Sequence, residues 1–144
     1  MQGADTASSL VPELITELTE AWNAHDLERV IACYAHDYMG EDVSQPVPLR
    51  GREALRANFE RYLAAFPDLR FTNEQVIAQG NRVAVLWTAR GTHAGSIMRI
   101  PATHKPVEVR GTSLLTVRDN KVQYGVHIWD LAALLREIGL LPDL

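Results

Sequence analysis

The chain has 144 residues, a length that suits one domain with a single core, and 47% of them are hydrophobic against 22% charged. Its 18 acidic and 14 basic residues give a net charge of −4. No run of Lys and Arg appears, which excludes a nucleic-acid partner, because phosphate neutralisation needs clustered basic residues. An acidic chain is also poorly suited to an anionic membrane surface.

The start of the chain, residues 1–9, is polar and acidic and lacks the basic and apolar regions of a signal peptide. No apolar run reaches the roughly 18 residues that a helix needs to cross a bilayer. We therefore expect a cytoplasmic protein in which residues 1–144 form one domain and residues 1–8 are flexible. The single cysteine, Cys33, excludes an internal disulfide and is expected to be a buried apolar side chain rather than a catalytic thiol.

The first half of the chain has helical periodicity. Apolar residues recur at helical spacing over residues 10–22, 27–34 and 52–66, and each stretch predicts a helix. Asp26 precedes the second stretch and is a suitable N-terminal cap. The turn-rich passage after it leaves room for one short strand near residues 38–43.

From residue 69 onward the apolar pattern changes to period two. This predicts strands over residues 69–79, 82–93, 105–118 and 121–129. A last helix over residues 131–138 ends at Gly139, a natural C-terminal residue. On the second of these strands Trp87 and His93 share the apolar face and are expected to point toward the helices. The predicted class is α+β, with a curved, largely antiparallel sheet folded around N-terminal helices.

Alternation on the last strand assigns its side chains to two faces. Val126, Ile128 and Asp130 share one face, which the apolar residues identify as the inner one, so the Asp130 carboxylate is expected in a pocket. His127 falls on the opposite face and is expected at a dimer face or in solvent. A β-bulge in this strand would reverse the assignment of His127.

Several segments resemble SnoaL-like polyketide cyclases. They are FPDL at 66–69, GNRVAV at 80–85, WTARGTHAG at 87–95, IPATHKPV at 100–107 and IGLLP at 138–142, together with Asp130. The resemblance covers nearly the whole chain. It implies a cone-shaped α+β barrel of the nuclear-transport-factor-like kind, with a mixed or antiparallel sheet, which is usually homodimeric.

The resemblance also implies a reaction, the intramolecular aldol closure of a ring in an aromatic polyketide. Asp130 would remove and return the proton. His93, which lies in a matching segment, and His127, three residues before Asp130, are candidate assisting groups. Such chemistry needs a base in a dry pocket and a stabilised enolate. Because the conjugation of an aromatic polyphenol substrate stabilises its own enolate, no metal or other cofactor is expected. The residues expected to contact the hydrophobic, aromatic substrate are Trp22, Tyr34, Tyr38, Phe59, Tyr62, Trp87, Val126 and Ile128.

Some residues also have plainer interpretations. Asp130 suits the N-terminal cap of the last helix, and core packing explains each aromatic residue equally well. The histidines at 25, 36 and 104 lack the convergent spacing of metal ligands. Tyr124 and Val126 stand where the family usually carries Glu and Trp, which predicts a reshaped pocket floor.

Two alternatives to the cyclase remain open at this point. One is a hydroxylase or epoxide-opening hydrolase on the same fold, which isotope incorporation from water or dioxygen would reveal. The other is a binding or dimerisation module in which Asp130 is only a cap. For the cyclase, Asp130→Asn is expected to keep the fold and lose ring closure.

Overall fold

The computed structural model describes the backbone of residues 2–143 and the side chains of residues 10–143. The elements are α1 (Gln2–Asn23), α2 (Leu27–Ala32), β1 (Tyr34–Asp42), β2 (Leu49–Arg50), α3 (Gly51–Ala65), β3 (Arg70–Gln79), β4 (Arg82–Thr92), β5 (Pro106–Arg118), β6 (Lys121–Trp129) and α4 (Leu131–Glu137). The α+β class is confirmed. The flexibility expected at residues 1–8 stays a prediction, because Met1 and the side chains of residues 2–9 lie outside the described part of the chain.

One six-stranded sheet, in the order β2-β1-β6-β5-β4-β3, carries the fold. Strands β3 to β6 form the antiparallel meander that the turns predict. Strand β1 runs parallel to β6, which makes the sheet mixed. Parallel neighbours need a long connection, and here residues 43–120 separate the two strands. No helix within residues 2–143 is long and apolar enough to cross a membrane.

Strand β1 begins earlier than the sequence pattern predicts. Helix α2 ends at Ala32, and Tyr34 pairs with Val122 in the sheet instead of extending the helix. Tyr34 shares the helical spacing of Val30 and Ile31 because all three side chains are buried in the same core. A shared core therefore imitates helical periodicity across the boundary between two elements.

Strand β6 contains a β-bulge at Gln123. Thr116 on β5 pairs with Tyr124, whereas the next β5 residue, Val117, pairs with Val122, so β6 has one residue more than its partner. The Gln123 amide donates to the Asp37 carboxylate at 2.9 Å and holds the extra residue toward β1. Because side chains alternate with period two, one extra residue exchanges the two faces of the rest of the strand.

The face assignment for the end of β6 is therefore wrong. His127 and Trp129 point toward the helices, and Val126, Ile128 and Asp130 do not. Ile128 is 45% exposed, and Asp130 is also exposed. Tyr124 is on the outer face too, where its hydroxyl bonds the Glu41 carboxylate, so the exchanges at 124 and 126 do not reshape the pocket floor.

Helices α1 and α3 cover the inner face of the sheet through an aromatic chain. Trp22 on α1 packs against Phe59 on α3 with ring centroids 4.3 Å apart, and Phe71 on β3 joins Trp22 to Trp87 on β4. Burial of such rings removes large apolar areas from water and dominates core energetics. The homodimer implied by the resemblance stays a prediction, because the structure holds one chain.

A glycine on β5 makes room for two tryptophans. A Cβ atom added at Gly111 would lie 2.5 Å from Trp87 Cζ2 and 2.8 Å from Trp129 Cβ. Gly111 also pairs with both Trp87 and Trp129 in the sheet, so neither ring can move away without disturbing the strands. Position 111 therefore requires a glycine because no side chain fits between the two tryptophans.

We expect Gly111→Ala to lower the free energy of unfolding by about 1–3 kcal/mol, because the added methyl group overpacks the tryptophans. Urea denaturation measures the change. Leu114→Ala on the outer face of the same strand is the control and should change the free energy by about 0.5 kcal/mol or less. Equal effects of the two substitutions would contradict the packing argument.

Candidate functional site

A cavity of about 570 Å³ lies between the helices and the inner face of the sheet. This volume suits a ligand of several rings. Most of its wall is apolar. Among the residues expected to contact substrate, those that line it are Trp22, Tyr34, Tyr38, Tyr62 and Trp87.

The other three residues expected to contact substrate lie elsewhere. Phe59 is 1% exposed and packs behind Trp22 as part of the core. Val126 and Ile128 point away from the cavity because of the bulge. The prediction of substrate contact is therefore wrong for Phe59, which Trp22 separates from the cavity, and for Val126 and Ile128, which lie on the outer face of β6.

A chain of hydrogen bonds crosses the inner end of the cavity. Trp87 Nε1 donates to Ser113 Oγ at 3.0 Å, and Ser113 Oγ lies 2.7 Å from His127 Nδ1. His127 Nε2 lies 3.2 Å from the Tyr38 hydroxyl oxygen. All four side chains line the cavity, and they come from β1, β4, β5 and β6. Four of the six strands therefore contribute to one polar cluster.

Two paired glycines create the space for the bond between Tyr38 and His127. Gly40 on β1 pairs with Gly125 on β6. A Cβ atom at Gly40 would collide with the Tyr38 hydroxyl, and one at Gly125 would lie 3.1 Å from that oxygen and 3.2 Å from His127 Nε2. The slot exists because neither position has a side chain.

Burial sets the protonation of this cluster. It lowers the pKa of His127, against the opposing effect of the nearby Asp42 carboxylate, so the imidazole is held neutral. Burial also raises the pKa of Tyr38, and Asp42 contributes to the rise. The pKa of Tyr62 reaches about 12 for the same two reasons. The cavity therefore contains protonated phenols beside a neutral imidazole.

Asp42 supplies the carboxylate of the cavity wall. It ends β1, and Trp129 Nε1 donates to its Oδ1 at 2.9 Å and its Oδ2 at 3.2 Å. The Ser44 N–H and hydroxyl also donate to Oδ1. The sequence argument placed Asp42 in the short strand expected near residues 38–43 but assigned it no face and no role. Its spacing from Tyr38 and Gly40 on one strand face would have found it.

Asp130 lies outside this cavity. Its Oδ1 accepts a hydrogen bond from the Ala133 N–H at 2.9 Å, and it is the N-terminal cap of α4. The side chain is exposed and takes no part in the cavity wall. The structure therefore gives Asp130 the role of a helix cap. The residue before it, Trp129, is the one whose side chain points into the cavity.

His93 is buried but is also not part of the cavity wall. Its Nδ1 accepts the Thr103 N–H at 3.3 Å and lies 2.9 Å from the Thr103 hydroxyl. Its ring packs against Phe66. These contacts tie the segment between β4 and β5 to the core. Across residues 10–143, no group of three or more His, Cys, Asp or Glu side chains is arranged to hold a metal ion.

A curved sheet over helices, with a deep cavity holding a few convergent polar groups, is the ketosteroid isomerase-like fold. A protein of Catenulispora acidiphila with that fold superposes with a TM-score of 0.77 at 21% identity, covering 92% of this chain and 97% of its own. The model of the SnoaL-like polyketide cyclase family matches residues 13–138, and the chain belongs to that family.

Solved structures of higher identity come from streptomycetes. AclR of Streptomyces galilaeus, a candidate hydroxylase, is 28% identical with a TM-score of 0.82, over 92% of this chain and 83% of AclR. IdmH of Streptomyces antibioticus, a candidate polyketide cyclase, is 29% identical with a TM-score of 0.78, over 89% of this chain and 97% of IdmH. No curated protein matches the chain.

The neutral His127 makes stability depend on pH. Its folded-state pKa is below the ordinary value of 6.5, so the unfolded chain binds more protons as the pH falls through that value. The contribution is fully present above about pH 6.5 and is lost toward the folded-state pKa. We expect the free energy of unfolding to fall between pH 7 and pH 5, and His127→Gln to reduce that fall. Urea denaturation at each pH measures it.

The control for this prediction is His36→Gln. His36 is exposed on β1 and faces Arg52 rather than the cavity. Its replacement should leave the pH dependence as in the native protein. A pH dependence that His127→Gln leaves unaltered would contradict the argument from burial.

Proposed function

We propose that this protein is a cofactor-independent acid–base enzyme that closes a ring in an aromatic polyketide by an intramolecular aldol reaction. The observation that carries the proposal is the presence of a carboxylate, Asp42, and a protonated phenol, Tyr38, in one apolar cavity. Membership of the SnoaL-like family supports a polyketide substrate. The volume of about 570 Å³ supports a molecule of several rings.

The walls of the cavity favour flat, apolar ligands. Trp22, Phe71 and Trp87 form the aromatic chain across it, and aromatic rings stack or meet edge to face with other rings. Part of the lining is more polar, with Gln45 in the loop between β1 and β2 and Asn58 and Arg61 on α3, and of these Gln45 and Arg61 are exposed to solvent. A ligand with an apolar ring system and a polar tail fits this division.

We assign proton transfer to Asp42 and stabilisation of the enolate to Tyr38. Asp42 removes a proton from the carbon beside a carbonyl, while the Tyr38 hydroxyl donates to that carbonyl oxygen. The enolate carbon then attacks a second carbonyl of the same molecule and forms a carbon–carbon bond. The new alkoxide takes the proton back from Asp42, so the product is an isomer of the substrate.

His127 is less suited to be the base. Both of its ring nitrogens have hydrogen-bond partners, Ser113 and Tyr38. Among the side chains of residues 10–143, the Asp42 Oδ2 atom has only the 3.2 Å contact with Trp129 and keeps lone pairs for a proton. This difference in free acceptor capacity favours the carboxylate.

We expect Asp42→Asn to lower ring closure at least 100-fold, because an amide cannot accept the proton and general bases contribute about 10²–10⁴-fold. Product formation from a panel of linear and partly cyclised aromatic polyketide esters, followed by liquid chromatography and mass spectrometry, measures the loss.

The matched control is Asp130→Asn, which exchanges the same atoms outside the cavity. Asn also caps helices, so fold and turnover should both be retained. Turnover that survives in Asp42→Asn would contradict Asp42 as the base, and turnover that vanishes in a folded Asp130→Asn would return the catalytic role to Asp130.

Hydroxylation is a second candidate, supported by the 28% identity with AclR. Ring closure by aldol chemistry incorporates no oxygen from dioxygen or water. Hydroxylation of an electron-rich aromatic ligand would incorporate one oxygen atom from dioxygen, while the second oxygen atom would leave as water with two electrons and two protons from an added reductant such as a reduced nicotinamide or flavin. Turnover under ¹⁸O₂ and in H₂¹⁸O, with mass analysis of the product, separates the two reactions.

A further inference from the structure

The hydrogen bonds behind Tyr38 have a direction that follows from the chemistry of their groups. The indole N–H of Trp87 can only donate, so Ser113 Oγ accepts from it. Ser113 is 8% exposed and has a single hydroxyl proton. Its other polar contact among the described residues is His127 Nδ1, so the proton of Ser113 lies in the bond to that nitrogen.

A neutral imidazole has one protonated nitrogen. When Nδ1 accepts from Ser113, the proton of His127 is on Nε2 and is donated to the Tyr38 oxygen at 3.2 Å. The Tyr38 hydroxyl then keeps its own proton for another acceptor. Within residues 10–143 this hydroxyl has no other hydrogen-bond partner, and Tyr38 lines the cavity.

The opposite direction is disfavoured. If His127 Nδ1 donated to Ser113, the Ser113 oxygen would accept twice and its buried hydroxyl proton would have no acceptor in the described part of the chain. A buried donor without an acceptor costs about 1–3 kcal/mol. Low local polarity also strengthens a chain in which each group donates to the next.

We propose that the inner end of the cavity is a binding site for a carbonyl oxygen on an aromatic ring system, in which Trp87, Ser113 and His127 direct the Tyr38 O–H toward that oxygen. The ligand class rests on the proposed function, whereas the direction of the bonds does not. His127 is then a positioning residue that acts through Tyr38. The space left by Gly40 and Gly125 allows the Tyr38 and His127 side chains to stay in contact.

Two measurements test this proposal without turnover. The first is ¹⁵N NMR of the native protein labelled at histidine, which distinguishes the two imidazole tautomers. We expect His127 to be protonated at Nε2 and not at Nδ1, with Ser113→Ala weakening that preference. Thr112→Ala removes a hydroxyl from the neighbouring position, where it bonds the Val85 carbonyl, and should leave the tautomer unchanged. A native tautomer protonated at Nδ1 would overturn the proposal.

The second measurement compares 1-tetralone, a ring ketone, with tetralin, its hydrocarbon counterpart, by NMR titration. We expect Tyr38→Phe to weaken 1-tetralone binding about tenfold, the size of one hydrogen bond, and to leave tetralin binding unchanged. Ser113→Ala should weaken 1-tetralone binding by a smaller factor and Thr112→Ala should not. The carbonyl stretching frequency of bound 1-tetralone should fall in the native protein and rise again in Tyr38→Phe.

Equal loss of both ligands in Tyr38→Phe, or an unshifted carbonyl frequency, would contradict the site. These outcomes are separate from those of the proposed function. An Nε2 tautomer and a selective ketone site without polyketide turnover would leave the site standing and remove the cyclase. Turnover that depends on Asp42 with an Nδ1 tautomer would do the reverse.

Discussion

One extra residue in strand β6 determines which chemistry reaches the cavity. With Gln123 bulged out of the ladder, the imidazole of His127 and the indole of Trp129 enter the cavity, and the Asp130 carboxylate is left outside. Without the bulge the same strand would present Val126 and Ile128 inward and offer no hydrogen bond to Tyr38 or Asp42. The polar cluster, its protonation and the exposed position of Asp130 all follow from this irregularity.

Most of the fold could be predicted from the sequence because its signals are local. Period-two alternation located β3 to β6 within one residue or so of their ends, and the caps of α2 and α4 were readable from Asp26 and Asp130. The parallel pairing of β1 with β6 joins residues far apart in the chain, and no local pattern announces it. The helical spacing of Tyr34 led to the wrong prediction that α2 extends to residue 34, because Tyr34 is buried in the same core as Val30 and Ile31 although it begins β1.

The site was less predictable than the fold. Trp22, Tyr34, Tyr38, Tyr62 and Trp87 do line the cavity, because large aromatic residues on inward faces rarely have another place to go. Whether a polar side chain faces the cavity depends on the register of its strand, and strict period-two alternation does not predict the bulge that shifts the register of β6. Asp42 lay in the short strand expected near residues 38–43, but the two faces of that strand were not assigned, so its place on the inward face of β1 went unnoticed. A resemblance that named one strand-end carboxylate drew the interpretation toward Asp130.

The glycine pair at positions 40 and 125 has a consequence for how this family diversifies. Because the slot is defined by two missing side chains on adjacent strands, a larger residue at either position displaces the phenol or the imidazole. The side chains at positions 38, 40, 125 and 127 are therefore coupled in space, and a larger residue at any one of them is expected to require compensating changes at the others. Relatives that keep both glycines should form a subgroup with a common inner cavity, whatever the rest of their walls contains.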